Sequence, residues 1–403
     1  MNRRSILKTL GLLPLPFGLS QSAMSENMPS SDQTPKNKDI FKELGVRTFI
    51  NAAGTYTFMT GSLMQPEVVE AIRESSTAFC LLDELQDKVG ERIAVITHAE
   101  SAVVTSGCFS AMTLGLAGVL TGSDPKKAEM LPHLEGTGMK SEVIMQKGHF
   151  VGYAQALSNT GCKIIQVETR EELEKAINEK TALLWFLHVQ SDKGVINHEE
   201  WVSLGQKHQI PTMIDIAADV PPVSNLWKFN DMGFDLVCIS GGKAMKGPQS
   251  AGLLMGKKNL IAAARLSMAP RGSTIGRGMK VNKEEIIGMY VALDNYVKMD
   301  HNRIWKEWEQ RIAVIEQGVK TIPGIKTEVR VPSLGNVTPT LRITWDPSVI
   351  KMTTEEFREK LRAGNPSIEV MGTGDYAVNI TAWVMKAGEE KIVAKRVGEV
   401  FRT

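Results

Sequence analysis

An aspartate and a lysine occupy corresponding places in the middle of the chain, each beside an apolar run. Asp215 lies in the run Thr212–Ile216, and Lys243 follows Leu236–Ile239 in the sequence Ser-Gly-Gly-Lys. In open α/β sheets, ligands bind beside the carboxyl ends of the strands. A lysine amine there can form a Schiff base with an aldehyde, and a buried carboxylate can keep a pyridine nitrogen protonated. The pair therefore predicts a pyridoxal 5'-phosphate site in which both residues are catalytic.

Each member of the pair also has an ordinary structural interpretation. An aspartate after a strand is commonly a helix cap or a turn residue, and Gly-Gly-Lys is commonly a solvated turn. Lys246, three residues further along, competes with Lys243 for the same role. The acid, the intervening strand and the glycine-rich lysine turn occur together and in this order, which favours the cofactor site over two unrelated turns.

The run Thr105-Ser106-Gly107-Cys108 is a candidate anchor for the phosphate of the cofactor. It ends a short strand and precedes a helix-like run, and backbone N–H groups at a helix start bind phosphate. Ser240, directly before Gly-Gly-Lys, is assigned to the same cofactor. A serine and a glycine before a helix are also a common helix cap, so this alternative stays open.

Two histidines follow strand-like runs. His149 comes after Val143–Met145, where its ring is a candidate to stack on the pyridine ring and to act in catalysis. His188 ends the apolar run Thr181–Leu187 and is a candidate partner for the phenolic oxygen of the cofactor or for a substrate group. The alternatives are a half-buried loop histidine for the first and a hydrogen-bonded core histidine for the second.

Basic residues in a glycine-rich run are candidates for binding a substrate or another anion. Arg271, Arg277 and Lys280 lie within residues 270–280, which hold three glycines. Guanidinium groups and backbone N–H groups of such loops bind anions, although an exposed basic loop is the alternative. Arg342, in a strand-like run near the C-terminus, is another candidate partner for a substrate carboxylate.

Apolar strand-like runs alternate with amphipathic helix-like runs from about residue 40 onward. The clearest helices are Pro66–Ser75, Leu82–Thr97 and His198–His208, and the clearest strands are Lys163–Val167 and Thr181–Val189. Strands that are apolar throughout and separated by helices predict a mostly parallel sheet covered on both faces.

The alternation of strand-like and helix-like runs stops after Lys283, where a long helical stretch begins. It runs to about Lys320, before the break at Pro323-Gly324. We therefore predict a large cofactor domain over residues 39–285 and a connecting helical segment over 286–322. A small α+β domain is predicted over 323–403.

Composition narrows the class of protein. The chain has 403 residues, of which 42% are hydrophobic, and 47 basic and 45 acidic residues give a net charge of +2. So balanced a charge gives no reason to expect nucleic acid or a membrane as a partner. The four cysteines form no Cys-x-x-Cys pair, so no metal site is predicted.

The first residues have the layout of an export signal. Residues 1–23 contain the pair Arg3-Arg4 near their start, then a short apolar stretch, and end in small residues. Residues 24–38 have the composition of a polar linker. This pattern resembles a twin-arginine signal and predicts an exported, periplasmic protein. A cytoplasmic protein with an unstructured leader is the alternative.

Several motifs together resemble one branch of fold-type I pyridoxal-phosphate enzymes, the selenocysteine synthase-like branch. They are Asn51-Ala52-Ala53-Gly54-Thr55, Glu84 to Gly90, Ala99-Glu100-Ser101-Ala102, Thr105-Ser106-Gly107, Ser240-Gly241-Gly242-Lys243 with Gly247 to Gly252, and Gly276 to Glu285. Within the branch, the D-glucosaminate-6-phosphate ammonia-lyase group is the most similar.

This resemblance covers about residues 40–400 and implies an α/β aminotransferase-like fold. Such a fold has a mostly parallel seven-stranded sheet flanked by helices and a smaller C-terminal α+β domain. The resemblance also implies a homo-oligomer, with Arg277 or Lys280 serving an anion in a site shared between subunits. Two departures concern the substrate. The chain has a leader where selenocysteine synthases have a part for tRNA, and an exported protein would not meet an intracellular sugar phosphate.

The predicted activity is that of a carbon–nitrogen lyase. It would act on an amino acid or amino sugar acid that carries a hydroxyl group and would give a 2-keto acid and ammonia. A racemase or an aminotransferase shares the first steps and stays open. A selenocysteine synthase-like transferase and a non-catalytic binding protein with the same fold are the remaining alternatives.

Overall fold

A computed structural model describes residues 39–403. The predicted signal at 1–23 and linker at 24–38 lie outside the described residues. The described residues before Phe49 are a unit by themselves and hold helix α1 (Ile40–Glu43), whose first turn is capped by Asp39. Phe49–Thr403 form the second compact unit, which carries all of the candidate site residues.

The strands and helices alternate along most of this unit. The strands are β1 (Phe49–Asn51), β2 (Ser101–Thr105), β3 (Glu142–Gln146), β4 (Lys163–Val167), β5 (Thr181–Leu187), β6 (Thr212–Asp215), β7 (Leu236–Ser240), β8 (Gly252–Gly256), β9 (Ile325–Arg330), β10 (Thr340–Trp345), β11 (Ser367–Glu369), β12 (Met371–Gly372) and β13 (Ala377–Thr381).

The remaining α-helices follow in the same order. They are α2 (Pro66–Ser75), α3 (Leu82–Thr97), α4 (Gly107–Thr121), α5 (Pro125–Met130), α6 (Gln155–Ser158), α7 (Arg170–Ala176), α8 (His198–His208), α9 (Asn225–Met232), α10 (Lys258–Leu266), α11 (Lys283–Lys298), α12 (His301–Val319), α13 (Thr354–Ala363) and α14 (Glu389–Phe401). Short 3-10 helices span Thr57–Met59, Lys147–His149, Gly152–Ala154 and His188–Lys193.

The central sheet has seven strands in the order β2-β8-β7-β6-β5-β3-β4. Strands β4, β3, β5, β6 and β7 run parallel, and β8 runs antiparallel to both of its neighbours. The predicted mostly parallel sheet is confirmed. Because β7 and β8 are joined by the short lysine turn, β8 must return in the opposite direction, and its start lies beside the end of β7.

Both faces of this sheet are buried, as continuous apolar strands require. All seven residues of β5 are buried. Phe186 and Ile214 face one core layer together with Trp201 of α8, and Trp185 and Met213 face the other layer together with α4. Adjacent residues of a strand point to opposite faces, so Asp215 shares the second face with Met213.

The predicted helical stretch from Lys283 to about Lys320 consists of two helices, α11 and α12. Two residues separate α11 from α12, and the second of them, Asp300, caps α12 by accepting a hydrogen bond from the backbone N of Arg303. An aspartate at this position accepts a hydrogen bond from an N–H group in the first turn of α12, and that group has no acceptor within its own helix. The helices α5, α9 and α10 were not predicted.

The C-terminal part contains a four-stranded antiparallel sheet in the order β12-β13-β10-β9. One face packs on α12, α13 and α14 through residues such as Leu341, Ile343 and Phe357. The other face is polar and carries Arg330, Thr340, Arg342, Asn379 and Thr381, which the register places on the same side. The domain boundaries at 285 and 322 stay a prediction.

Candidate active site

Asp215 ends β6 and is 2% exposed. Its Oδ1 atom accepts hydrogen bonds from the backbone N of Ala217 at 2.8 Å and from the Cys108 thiol at 3.3 Å. Burial raises the pKa of Asp215, while the two hydrogen bonds and the charge of Lys243 act in the opposite direction. A buried carboxylate in this state gains from a cationic partner, such as a protonated pyridine nitrogen.

Lys243 lies in the turn between β7 and β8 and lines a cavity of about 330 Å³. The turn is closed by hydrogen bonds from Lys246 N to Lys243 O and from Gly247 N to Gly241 O, both at 3.0 Å. Gly242 is required there, because a Cβ atom on it would lie 2.4 Å from Gln249 Cα. The turn therefore holds Lys243 at the edge of the sheet, where the strand that ends in Asp215 also ends.

An N-terminal segment forms another wall of the lysine cavity. Thr55, Thr57 and Gly61 line the cavity together with Lys243. The backbone N of Ser62 donates to Gly242 O at 3.0 Å, and a Cβ on Gly61 would lie 2.7 Å from the same oxygen. This close backbone contact fastens the segment to the lysine turn. It was not predicted as part of the site, although the motif Asn51 to Thr55 was noted.

The start of α4 lies beside the lysine turn. Thr105 of β2 and Ser240 of β7 both pair with Gly252 of β8, so the three residues stand at one level of the sheet. A Cβ on Gly252 would lie 2.5 Å from the carbonyl carbon of Gly107, which shows how closely β8 approaches the helix start. The start of α4, where backbone N–H groups can bind a phosphate, therefore lies close to the strand ends that carry Thr105 and Ser240.

The hydroxyl groups of Thr105 and Ser106, at the start of α4, make hydrogen bonds within the protein. Thr105 Oγ1 donates to Gly107 O at 2.9 Å, and Ser106 Oγ contacts Ser110 Oγ at 3.0 Å and Met279 O at 2.9 Å. The contact with Met279 brings the glycine-rich basic loop to the helix start. The predicted phosphate anchor and the loop that carries Arg277 and Lys280 are therefore neighbours.

The four predicted basic residues have different surroundings. Arg277 and Lys280 are exposed in the loop that contacts Ser106. Arg271 donates to Asp83 Oδ1 at 2.8 Å, so the anion that it binds in this chain is a carboxylate of α3. Arg342 lies on the polar face of the C-terminal sheet, opposite Asn379.

The two predicted histidines are buried in the other core layer, His149 against Phe186 and His188 against Phe229. His149 has no exposed surface, and its Nδ1 atom accepts from Leu187 N at 3.3 Å, while its ring stands edge-on to Phe186. His188 Nδ1 contacts His198 Nε2 at 2.8 Å. Burial, and next the charge of His198, lower the pKa of His149 to about 4 and that of His188 to about 3. Both rings are neutral at physiological pH, and their assignment to the cofactor stays a prediction.

Asp219 is a second buried carboxylate beside the site, and it was not predicted. It is 2% exposed, and Oδ1 accepts from Gly335 N at 3.1 Å. Its Oδ2 atom has no hydrogen-bond partner within residues 39–403. Burial, and next the charge of Asp215, raise the pKa of Asp219 to about 7. The bond to Gly335, with one of 2.6 Å from Asn336 N to Ala218 O, fastens the β9–β10 loop to the strand end behind Asp215.

Asp219→Asn should change how stability depends on pH in the cofactor-free protein. A carboxyl whose pKa is higher in the folded state loses stability as pH rises from its unfolded value near 4 to about 7. Asparagine avoids this loss and keeps the oxygen that accepts from Gly335. We expect the variant to gain about 2–4 kcal/mol over the wild type between pH 5 and pH 8, measured by urea unfolding. A gain that does not vary with pH would refute the raised pKa.

Arg330 is another residue that the sequence did not single out. Its Nη2 atom donates to Asn379 Oδ1 at 3.2 Å, and no carboxylate pairs with it in the described part of the chain. It lines a polar cavity of about 150 Å³ together with Gly54, Tyr56 and Asn336. Because Thr55 lines the lysine cavity, the segment around Gly54 connects Arg330 with Lys243.

The residues present fit pyridoxal phosphate. Lys243 lines a cavity of suitable size, Asp215 is a buried carboxylate that lacks a cationic hydrogen-bond donor, and the start of α4 offers N–H groups for a phosphate. Over residues 39–403 there is no cluster of three or more His, Cys, Asp or Glu side chains that could hold a metal ion. The same residues contain no helix long and apolar enough to cross a membrane.

Comparison with known proteins gives similarity over most of the chain. The family model described as Aminotransferase class-V matches residues 154–338. D-glucosaminate-6-phosphate ammonia lyase of Salmonella typhimurium is 29% identical over 341 residues, which cover 82% of this chain and 88% of that protein. The solved structure of D-glucosaminate-6-phosphate ammonia-lyase has a TM-score of 0.79 at 27% identity and covers 91% of this chain and 99% of that chain.

Two further relatives are similar at 26% identity. They are 5'-C-glycyluridine monooxygenase-decarboxylase of a Streptomyces species, covering 88% of this chain and 90% of that protein, and L-seryl-tRNA(Sec) selenium transferase of Aquifex aeolicus, covering 84% and 80%. The resemblance predicted from the motifs is confirmed. The chain therefore has the aminotransferase-like α/β fold of pyridoxal-phosphate enzymes, with a seven-stranded central sheet and an additional C-terminal antiparallel sheet.

Proposed function

We propose that the protein is a pyridoxal-phosphate-dependent carbon–nitrogen lyase. Its substrate would be an amino acid or amino sugar acid with a hydroxyl group, and its products a 2-keto acid and ammonia. The observation that carries the proposal is the pairing of buried Asp215 with Lys243 at one edge of the sheet, within electrostatic reach of each other. The similarity to an ammonia lyase over 82% of the chain supports this reaction type.

Two residues would hold the reactive part of the cofactor. Lys243 would bind the aldehyde carbon, and Asp215 would face the ring nitrogen and keep it protonated. The N–H groups at the start of α4, with Ser240, would bind the phosphate. When bound, pyridoxal phosphate supplies an electron sink for the negative charge that develops at the substrate Cα atom.

Lys243 would also move the proton. The amine of Lys243, when it is not bound to the cofactor, would serve as the base that accepts the Cα proton of the substrate. Asp215, as the proposed partner of the protonated ring nitrogen, would remain ionised. Elimination would release the β-hydroxyl group as one molecule of water. Hydrolysis that releases ammonia would then consume one molecule of water. The net reaction therefore converts one hydroxy amino acid into one 2-keto acid and one ammonia.

Arg330 is suited to hold the acid group of the substrate. Among residues 39–403 this cation has no carboxylate partner, and it lines a polar cavity next to the segment that lines the lysine cavity. A guanidinium group can bind a carboxylate through two parallel hydrogen bonds. Arg277 and Lys280 lie near the start of α4 instead, and we propose that they contribute to anion binding there.

Exposed apolar side chains next to the lysine cavity support a homo-oligomer. Phe58, Leu63 and Met64 lie on the segment that lines this cavity, and Phe79 and Leu81 follow it with exposed fractions of 104% and 73%. We propose that a second copy of the chain covers this surface. Sedimentation of the purified protein as a monomer would contradict this.

The predicted export signal at residues 1–23 favours an unphosphorylated substrate over a sugar phosphate. A twin-arginine-like signal would export a folded protein with its cofactor already bound, to a compartment without intracellular sugar phosphates. We therefore propose a periplasmic enzyme for a hydroxy amino acid or an unphosphorylated amino sugar acid. Fractionation that leaves the protein wholly in the cytoplasm would contradict this location.

A substrate screen tests the activity. The cofactor-loaded protein is mixed with D- and L-serine, L-threonine, D-glucosaminate and its 6-phosphate, and ammonia and 2-keto acid are measured in parallel. We expect equal amounts of the two products from at least one unphosphorylated substrate, and none with Lys243→Ala.

The other products separate the alternatives. Inversion of the amino acid without ammonia would indicate a racemase. Release of keto acid only when a second keto acid is added would indicate an aminotransferase. A protein that binds no pyridoxal phosphate would favour the non-catalytic alternative.

A further inference from the structure

A second cavity lies beside the lysine turn and shares none of the residues that line the cavity of Lys243. It has a volume of about 310 Å³, which suits a small molecule. Its walls come from the lysine turn, from α11 and α12 and from the segment after β13. Lys246, whose backbone N is bonded to Lys243 O, is the residue of the turn that supplies a charge to it.

Two cations face this cavity without an acidic partner. Lys246 is mostly buried and makes no side-chain hydrogen bond or ion pair in the described part of the chain. Arg311 of α12 donates to Met385 O at 3.0 Å and pairs with no carboxylate there either. Burial, and next the charge of Arg311, lower the pKa of Lys246, so the two cations repel each other across the space.

The acidic residue that lines the cavity does not compensate these charges. Glu307 Oε1 is bound by Arg303 at 3.0 Å, on the same helix. The exposed Lys386 adds a further positive charge at the rim. The net charge of the groups around the cavity is therefore positive.

Two buried hydrogen-bond donors in the cavity wall also lack partners. Tyr296 is 3% exposed and Trp383 is 2% exposed, and neither the hydroxyl group of the first nor the Nε1 atom of the second has a partner among residues 39–403. A buried donor left without an acceptor destabilises the folded protein, so both groups favour a bound acceptor. Water could satisfy the two donors but would not relieve the repulsion between the cations.

We propose that this cavity binds a small organic anion, a carboxylate or a phosphate ester, between Lys246 and Arg311. The anion would accept hydrogen bonds from the donors that lack partners, and its body would pack on the rings of Trp308 and Trp383, which also line the cavity. Because Lys246 belongs to the turn that carries Lys243, the bound anion would restrain that turn from the side opposite to the reaction.

The test is anion binding to the cofactor-loaded protein, which keeps the phosphate site of the cofactor filled. Inorganic phosphate and malonate are titrated by calorimetry at constant ionic strength, with chloride as the reference salt. We expect saturable binding with a Kd of about 1 mM for one or both anions. Binding of phosphate alone would identify a phosphate ester, and binding of malonate alone a carboxylate.

Matched variants connect this binding with the cavity. Lys246→Gln should weaken it by about tenfold or more, whereas Lys306→Gln, the same change at an exposed lysine of α12, should leave it unchanged. Arg311→Lys should retain more of it than Arg311→Met. Lys246 has φ 54, which asparagine tolerates well, so Lys246→Asn replaces the glutamine variant if that one does not fold. Wild-type affinity in the Lys246 variants, or no saturable binding beyond that of chloride, would overturn the proposal.

Discussion

Lys243→Ala should abolish turnover and the covalent attachment of pyridoxal phosphate while the fold stays intact. Lys243 lies in a turn whose hydrogen bonds are made by backbone atoms, so removal of its side chain breaks none of them. The same residue is proposed to bind the cofactor and to take the Cα proton. Loss of both roles should lower kcat by at least about a thousandfold.

The measurement is an absorption spectrum before and after borohydride, followed by mass spectrometry of the peptide that contains residue 243. In the wild type the visible band should disappear and the reduced cofactor should remain on Lys243. Lys246→Ala is the informative comparison, because Lys246 lies in the same turn and faces another cavity. Cofactor found on Lys246 in the wild type, or full turnover by Lys243→Ala, would show that the assignment is wrong.

Asp215→Asn should lower kcat by about a hundredfold to ten-thousandfold and weaken cofactor binding. Asparagine is close in size and keeps an oxygen that can accept from Ala217 N. It carries no charge, however, so the ring nitrogen loses the partner that keeps it protonated. The electron sink is then much weaker at the step in which the Cα proton leaves.

Stability separates this chemical effect from damage to the fold. Burial raises the pKa of Asp215, which means that an ionised carboxylate at this position lowers the free energy of unfolding of the cofactor-free protein. The cofactor-free Asp215→Asn variant should therefore unfold at an equal or higher urea concentration than the wild type. Asp231→Asn, the same change at an exposed carboxylate, should keep wild-type turnover. Unchanged kcat in Asp215→Asn would place the ring nitrogen elsewhere.

Local patterns predicted most of the scaffold. The helices Leu82–Thr97 and His198–His208 and the strand Lys163–Val167 have the predicted bounds. Their signals are carried by neighbouring residues, namely the 3.6-residue period of a helix and the apolar run of a buried strand. The division of the helical stretch into α11 and α12 is hard to locate from sequence, because a single capping residue, Asp300, begins the second helix within an otherwise continuous helical pattern.

The candidate site divides in the same way. Asp215 and Lys243 were found from sequence because their types are demanded by the chemistry and each follows a strand whose end lies at the ligand edge of the sheet. Asp219 and Arg330 were missed because nothing near them in the chain distinguishes them. Asp219 matters through its contact with Gly335, which is 116 residues away, and Arg330 through a cavity it shares with Gly54.

The sequence by itself determined the types of residue available for cofactor chemistry, the order of the strands that carry them and the similarity to a group of lyases. The tertiary structure decided the partners. It paired Arg271 with Asp83, and it buried the ring of His149 against Phe186 and that of His188 against Phe229. It also placed Lys246 on a cavity other than that of Lys243. The physical reason is that charge and burial depend on groups brought together from distant parts of the chain, whereas periodicity and turn chemistry depend on neighbours.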